Sequence, residues 1–129
     1  MVPLLGLHHV AIISANYAAS KRFYTEILGL EILAETYRAA RDSHKLDLAV
    51  SGQYVIELFS FPSPPPRPSY PEAAGLRHLA FAVPDVAAAI GHLEAHGVPC
   101  EPVRVDELTG RRFTFFADPD GLPLEFYEV

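Results

Sequence analysis

The stretch Gly6-Leu7-His8-His9-Val10-Ala11-Ile12 returns later in the chain, in similar form, as Gly75-Leu76-Arg77-His78-Leu79-Ala80-Phe81. The aligned histidines are 69 residues apart (78 − 9 = 69). Landmarks further along keep nearly the same interval, since 68 residues separate Glu57 from Glu125 (125 − 57 = 68). Landmarks that recur in the same order indicate a duplicated module.

The composition predicts one compact domain and excludes several classes of partner. The chain has 129 residues, of which 50% are hydrophobic, so it can bury a real core. Its formal net charge is −6, from 16 acidic and 10 basic residues. This balance argues against a nucleic acid or an anionic membrane surface as the main partner and leaves a small-molecule substrate as the expected one.

Cysteine usage and the N-terminus predict a cytoplasmic protein. Cys100 is the single cysteine, so no internal disulfide can form, and we interpret it as a small strand or turn residue beside Pro99. The apolar residues 1–13 are too short to span a bilayer. They also lack the basic opening and the cleavage site of a secretory signal.

We predict a single domain over residues 1–129 that consists of two modules. The first module covers about residues 5–61, the second about residues 75–129, and a proline-rich connector occupies residues 62–71. Prolines cannot donate to a sheet ladder, so the connector is expected to be extended. A proline-rich ligand for a recognition domain is the alternative to a simple spacer.

Each module is predicted to contain a strand, a helix and three further strands. Asn16 caps a helix over residues 17–28 that Gly29 ends, and Asp85 caps its counterpart in the second module. Patterns of apolar residues predict strands at 9–14, 31–37, 46–50, 54–61, 78–83, 100–105, 113–117 and 122–127. Asp118-Pro119-Asp120-Gly121 predicts a tight turn before the last strand.

One histidine opens the first strand of each module, on a face without bulky side chains. Alternation along a strand places His78 on the same face as Ala80 and Ala82, while the large apolar residues between them point to the core. His9 shares its face with Ala11 and Ile13, while Val10 and Ile12 point to the core. Both histidines are therefore candidate ligands rather than core residues.

Two glutamates complete the candidate site. Glu57 and Glu125 each lie inside an apolar strand, where a carboxylate is costly unless something compensates its charge. A divalent metal ion bound by His9, Glu57, His78 and Glu125 would do so. This ligand set suits nickel, zinc, cobalt, manganese or iron better than calcium. A polar strand-edge histidine and a solvent-facing glutamate are the alternatives for each residue taken alone.

The other polar residues have less specific interpretations. His8 has the opposite strand parity to its neighbour and is interpreted as structural. His44 is expected in a loop, and His92 and His96 on or beside the second helix, all three solvated. Tyr24 is expected in the core. The cations that could bind an anionic substrate, although a solvated surface role is simpler for each, are Arg38, Arg41, Lys45, Arg104, Arg111 and Arg112.

The sequence resembles the vicinal oxygen chelate superfamily and, within it, small bacterial glyoxalase I-like (lactoylglutathione lyase-like) proteins. The motifs that carry the resemblance are His8-His9-Val10-Ala11-Ile12, Ser20-x-x-Phe23-Tyr24-x-x-Ile27-Leu28-Gly29-Leu30, Val55-Ile56-Glu57-Leu58, Arg77-His78-Leu79-Ala80-Phe81 and Asp118-Pro119-Asp120-Gly121-x-x-x-Glu125. The resemblance implies an α+β fold in which two βαβββ modules form a curled mixed-sheet cup, the glyoxalase/bleomycin resistance/dioxygenase fold.

The resemblance also implies a function. Glyoxalase I has the ligand order His, Glu, His, Glu, which His9, Glu57, His78 and Glu125 match. The implied activity is a metal-dependent lyase or isomerase that acts on the hemithioacetal of a 2-oxoaldehyde and a thiol. Glu125 is the expected base, Glu57 is its symmetric counterpart, and a homodimer is the expected assembly.

Two departures from the glyoxalase pattern keep the alternatives open. Ile13 occupies a position where glutathione-using relatives carry an arginine, and Phe61 occupies one where they carry an asparagine. Loss of these polar groups argues against glutathione as the thiol. The alternatives are a metal-dependent dioxygenase or thiol transferase, and a non-catalytic small-molecule-binding or resistance protein.

Overall fold

The computed structural model describes all residues, Met1–Val129, and the chain forms two compact units, Met1–Pro65 and Pro66–Val129. Each unit contains one four-stranded mixed sheet and one helical segment. The elements of the first unit are β1 (Val10–Ser14), α1 (Tyr17–Arg22), β2 (Glu31–Arg38), β3 (Ser43–Val50) and β4 (Gln53–Ser60). Those of the second are β5 (Leu79–Val83), α2 (Val86–Ala95), β6 (Arg104–Val105), β7 (Arg112–Ala117) and β8 (Pro123–Glu128).

The two sheets share one topology. The strand order is β1-β4-β3-β2 in the first unit and β5-β8-β7-β6 in the second. In each, the first and last strands of the unit pair in parallel and the remaining pairs are antiparallel. The α+β class and the βαβββ order of the predicted modules are confirmed.

The helix of the first unit begins and ends where the sequence predicts. The Asn16 side chain accepts a hydrogen bond from the Ala19 backbone N–H, so it caps α1. Beyond Arg22 the helix widens into a π-helical turn, Phe23–Ile27, and Gly29 ends it with φ 82°. Tyr24 is fully buried there, which confirms its predicted place in the core.

The helix of the second unit follows the same plan. Asp85 caps α2 through the Ala88 N–H, and Val86 and Leu93 are fully buried. The predicted turn at residues 118–121 is present, because the Gly121 N–H donates to the Asp118 carbonyl at 3.0 Å. No helix of the chain is long and apolar enough to cross a membrane.

Two predicted elements differ from the observed ones. The strand expected at residues 100–105 is reduced to β6, because Pro102 has no N–H to donate to the neighbouring strand. Before Pro102, the Glu101 N–H still donates to the Phe115 carbonyl at 2.8 Å. The loop expected around His44 is wrong: His44 lies in β3 and pairs with Tyr37. A short turn that ends at Asp42 (φ 46°) joins β2 to β3. The strand β3 therefore begins before the residue at which the apolar pattern places its start.

Candidate metal centre

The first unit brings His9 close to Glu57. The parallel register of β1 and β4 places Ala11 beside Glu57, and His9 stands two residues before Ala11, on the same face. The Nε2 atom of His9 is 3.8 Å from Oε1 of Glu57. The Glu57 side chain keeps only 16% of its exposure, so its carboxylate is largely withdrawn from water.

The second unit repeats this geometry with His78 and Glu125. Ala80 lies beside Glu125 in the parallel register of β5 and β8. Nε2 of His78 is 2.9 Å from Oε2 of Glu125, and the Glu125 side chain keeps 12% of its exposure. In both units a small alanine next to the glutamate leaves open space in front of the carboxylate.

Buried and exposed residues alternate along the first strand of each unit, as predicted from the alternation of side chains. In β1, Ile12 and Ser14 are buried while Ala11 and Ile13 are exposed. In β5, Ala80 and Ala82 are exposed while the larger residues between them are half-buried. Within each unit, the histidine and the glutamate therefore lie on the open face of the sheet.

Three polar side chains surround Glu57 in the first unit. The Tyr54 hydroxyl donates to Oδ1 of Asp47 at 2.7 Å and to Oε2 of Glu57 at 3.3 Å. Nζ of Lys45 lies 3.2 Å from Asp47 and 3.5 Å from Glu57. Burial and the two neighbouring carboxylates raise the pKa of Tyr54 well above its usual range, so its hydroxyl remains a hydrogen-bond donor.

His8 contacts the candidate ligand next to it. Its Nδ1 atom is 2.7 Å from Nδ1 of His9, and its ring lies 5.2 Å from that of Tyr54. His8 itself is exposed. Because one ring nitrogen of His9 is engaged with His8, its other nitrogen, Nε2, is the one that faces Glu57.

Aromatic side chains surround Glu125 in the second unit. Phe115 of β7 is its partner in the antiparallel register, and the Phe115 ring meets the His78 ring edge-on at 5.0 Å. The guanidinium of Arg104 lies over the Phe115 ring at 5.2 Å. Glu125 has no polar side-chain partner besides His78.

The donor set fits a divalent metal ion, with two donors in each unit. An imidazole Nε2 and a carboxylate at short distance are the donors that nickel, zinc, cobalt, manganese and iron accept. Neither unit alone brings together three or more His, Cys, Asp or Glu side chains that could hold a metal ion. Each unit thus places one histidine and one glutamate of the four predicted ligands within 4 Å of each other.

A cavity of about 620 Å³ opens beside His78, entirely within the second unit. Its wall includes Cys100, Arg104 and Phe115. Cys100 is half-buried, and burial raises the pKa of its thiol, so the thiol stays protonated at neutral pH. A volume of this size accommodates a small organic substrate.

The remaining polar residues of the sequence prediction lie outside the two pairs. His92 and His96 are exposed on and beside α2, as predicted. His44 stacks between Tyr17 and Tyr37 and is half-buried, not solvated. Four of the predicted anion-binding cations lie away from both His–Glu pairs: Arg38 over Phe59, Arg41 over Phe61, Arg111 in an exposed position, and Arg112 paired with Glu128.

Sequence reasoning missed the roles of Asp47, Tyr54 and Phe115. The side chain of each lies next to a candidate ligand because two strands pair in the sheet. Asp47 is opposite Glu57 and Phe115 is opposite Glu125 in the same antiparallel register. The 68-residue interval relates these two positions (115 − 47 = 68), so the repeat contained a usable signal.

Comparison with protein families identifies one match over most of the chain. Residues 6–126 match the model of the Glyoxalase/Bleomycin resistance protein/Dioxygenase superfamily. This span includes all four candidate ligands.

Three proteins are similar to this chain over nearly its whole length. The "uncharacterized protein YaeR" of Escherichia coli (strain K12) is 65% identical over 99% of both chains. The "2-epi-5-epi-valiolone epimerase" of an Actinomyces species is 31% identical over 97% of this chain and 80% of its own length. The crystal structure of a glyoxalase family protein from Enterococcus faecalis is 51% identical, has a TM-score of 0.88, and is matched over 96% of this chain and 98% of that one.

Proposed function

The chain belongs to the Glyoxalase/Bleomycin resistance protein/Dioxygenase superfamily, and on that basis we propose that it is a metal-dependent lyase or isomerase of the glyoxalase I kind. Its substrate is the hemithioacetal of a 2-oxoaldehyde and a thiol, or a related compound with two adjacent oxygens. The product is the corresponding 2-hydroxy thioester.

The observation that carries this proposal is the recurrence of one His–Glu pair at one register. Glu57 lies beside Ala11 and Glu125 beside Ala80, each with a histidine Nε2 within 4 Å. A single surface pair of this kind is common and contributes little. Two of them at equivalent positions of a repeat, both on an open sheet face, support a shared role as ligands.

His9, Glu57, His78 and Glu125 would hold the ion, with one pair from a first unit and one from a second. Divalent metal ions are commonly used in this superfamily, and nickel, zinc, cobalt, manganese and iron all fit the donors. Such an ion supplies Lewis acidity toward two adjacent oxygens of a substrate.

Glu125 is the residue that we assign to proton transfer. Its carboxylate pairs with His78 at 2.9 Å and lies opposite Phe115, so no polar side chain other than that candidate ligand holds it in place. It would accept the proton from C1 of the substrate and deliver it to C2, which converts the hemithioacetal to the thioester without any other reactant. Glu57 is its symmetric counterpart, but Tyr54 and Lys45 hold that carboxylate in place.

The thiol is not expected to be glutathione. Ile13 is exposed on the face that carries His9, where glutathione-using relatives have an arginine. Phe61 stacks on Phe59 at 5.6 Å and offers no amide. Both changes remove polar groups that would bind the carboxylates of that tripeptide.

Epimerase activity is the second candidate, and the similarity to the Actinomyces epimerase favours it. Removal and return of a proton next to a carbonyl is shared by both reactions, so the same glutamate would serve. An epimerase needs no thiol, which agrees with the apolar Ile13 and Phe61.

We further infer a cytoplasmic homodimer. Each unit offers two ligands, and a second copy of the chain provides a second set of both pairs. Gel filtration with light scattering tests the assembly, and a monomer at micromolar concentration would contradict it.

Two measurements test the proposal. The purified protein is first analysed for bound metal and then supplied with methylglyoxal and a series of thiols, while thioester formation is followed by ultraviolet absorbance. We expect about one metal ion per ligand set and thioester with at least one thiol other than glutathione. No thioester with any thiol, in the presence of nickel, cobalt or zinc, would overturn the glyoxalase activity.

The alternatives give other signals in the same preparation. Deuterium exchange at the carbon next to the carbonyl of a cyclic ketone, without thiol, identifies an epimerase. Oxygen consumption identifies a dioxygenase. A protein that binds no metal and turns over no substrate is instead a binding or resistance protein.

A further inference from the structure

We infer that the substrate carries a negatively charged group and that Arg104 binds it, at the end of the second unit's cavity away from the reacting atoms. This inference rests on the proposed function, because it places the reacting oxygens beside His78 and Glu125. It adds two points to that function: Arg104 determines the specificity, and the substrates are small organic anions.

The cavity connects the candidate ligand to the arginine. His78 and Arg104 both line it, and both contact the same side chain, Phe115. The His78 ring meets Phe115 at 5.0 Å, and the guanidinium of Arg104 lies 5.2 Å from the centre of that ring. A compound that fills this cavity from His78 along Phe115 therefore reaches the guanidinium of Arg104.

Aromatic rings hold the guanidinium in position. Arg104 lies over Phe113 at 5.4 Å as well as over Phe115, and its backbone is fixed by the pairing of β6 with β7. Cation–π contacts orient the guanidinium without using its N–H donors. These donors remain available for a carboxylate or a phosphate, which a guanidinium can bind in a bidentate manner.

The present partner of Arg104 is easily exchanged. Its nearest carboxylate is Glu101, at 3.3 Å, three residues away in the chain. Both side chains are more than half exposed, at 52% and 55%, and ion pairs of this kind are weak. A ligand anion that is withdrawn into the cavity can therefore replace Glu101.

The other arginine of the cavity is already engaged. Arg77 donates to the Ser69 carbonyl at 3.1 Å, lies 3.7 Å from Glu72 and covers the Tyr70 ring at 4.8 Å. These contacts make it part of the cavity wall, so its guanidinium is less available for a ligand.

The first unit has no counterpart of this cation. Thr36 pairs with Lys45 at the register where Arg104 pairs with Phe113. Lys45 is itself bound to Asp47 and Glu57. Anion recognition is therefore a property of the second unit, and it replaces the cation that is missing at Ile13.

The test uses ligands that differ only in charge. The probes are the monohydroxamates of succinic and glutaric acid and their methyl esters, titrated by calorimetry into full-length protein loaded with nickel or zinc. The hydroxamate end presents two adjacent oxygens, and the other end is either an anion or a neutral ester. We expect the free acid to bind about tenfold more tightly than its ester, or better, because a charge-assisted hydrogen bond is lost in the ester.

Variants at Arg104 decide the assignment. In Arg104→Met the preference for the acid should fall to about one, and in Arg104→Lys part of it should return, because the charge remains but the planar donor pair does not. Arg111→Met removes the same charge from an exposed residue that does not line the cavity, and it should keep the full preference. Melting curves check that all variants fold.

The following results would contradict the inference. An acid preference that persists in Arg104→Met, or that falls equally in Arg111→Met, overturns the role of Arg104 alone. Equal binding of acid and ester to the unaltered protein overturns the anionic substrate class and with it the role of Arg104, but leaves the proposed function standing. If the metal-loaded protein binds neither probe, the inference fails while the metal site stands. If the protein takes up neither nickel nor zinc, the metal site of the proposed function fails, and the present inference fails with it.

Discussion

The two units have the same backbone plan around their glutamates but opposite chemistry in the surrounding side chains. The 68-residue interval relates Asp47 to Phe115, and each lies opposite the glutamate of its unit. The same interval relates Lys45 to Phe113 and Tyr54 to Leu122. The glutamate of the first unit thus has Tyr54 and Lys45 as polar partners besides its histidine, whereas that of the second has His78 alone and lies opposite Phe115.

This difference shows that two units with the same strand register can surround the same pair of residues with different side chains. Strand register determines where the ligands point, so both copies keep the His–Glu pair. The positions around the pair are free to change. A carboxylate that a tyrosine and a lysine hold in place is suited to bind a ligand without changing its orientation. A carboxylate with few polar partners can change its orientation more easily.

The largest effect is expected from removal of one histidine from either unit. His9→Ala and His78→Ala should each lower metal affinity by more than about a hundredfold, since loss of even an indirect partner of a ligand costs about ten- to a hundredfold. Metal content after dialysis measures this. His92→Ala, an exposed histidine of α2, should keep the metal. Full metal content in His9→Ala would show that the first unit supplies no ligand.

The next effect concerns the core beneath the two glutamates. Ile56 and Leu124 each precede their glutamate by one residue, and both are buried. Ile56→Ala and Leu124→Ala should each lower the free energy of unfolding by about 2–5 kcal/mol through the cavity that they leave. Urea unfolding measures it, with exposed Ile13→Ala as the control, expected within about 0.5 kcal/mol of the unaltered protein. A large difference between the two core variants would contradict the equivalence of the units.

A smaller effect should separate the polar and the apolar surroundings. Tyr54→Phe removes the hydroxyl that binds Asp47 and Glu57, so metal affinity should fall about tenfold while the ligands themselves remain. The matched control is Tyr37→Phe, whose hydroxyl binds Asp42. Calorimetric metal titration measures both. If the two variants bind metal equally well, Tyr54 does not support the site.

The smallest effect is the acid sensitivity of two carboxylates outside the site, one in each unit. Lys21, and then Tyr17, lower the pKa of Glu35, and Arg112, with the Val86 N–H, lowers that of Glu128. A lowered carboxyl pKa stabilises the fold above the ordinary pKa, and that stabilisation is lost as the pH falls through the lowered value.

Glu35→Gln and Glu128→Gln should therefore flatten the decrease of stability as the pH falls from about 5 toward 2. Melting temperatures across this range measure the slope. Glu107→Gln, at an exposed loop position, should leave the slope unchanged. Variants that keep the original slope would show that these ion pairs are too solvated to contribute.

Much of the fold could be predicted because local signals agree with it. Asn16 and Asp85 cap both helices as predicted, since a short acceptor before an apolar helix face has few other uses. The strand at residues 100–105 and the loop at His44 could not be predicted. The length of a strand depends on which of its backbone groups pair with a neighbouring strand. The residues near Pro102 and Asp42 do not show by themselves which residues they will pair with.

Of the candidate site, the four candidate ligands come from the sequence, but their neighbours do not. His9 and His78 follow from the repeat and from strand parity, which are properties of the chain order. The contact of Arg104 with Phe115, and of Tyr54 with Glu57, depends on side chains that approach across strands. No periodicity within a single strand contains that information.

Local sequence signals are therefore sufficient to predict the duplicated βαβββ modules, the helix caps and the residues that face outward at the start of each repeat. These follow from alternation and capping, which act over a few residues. Contacts across strands determine that Tyr54 and Lys45 hold one glutamate, whereas the other pairs with His78 and lies opposite Phe115. Pairing between strands sets those contacts, because it brings together residues that are distant in the chain and adjacent in the sheet.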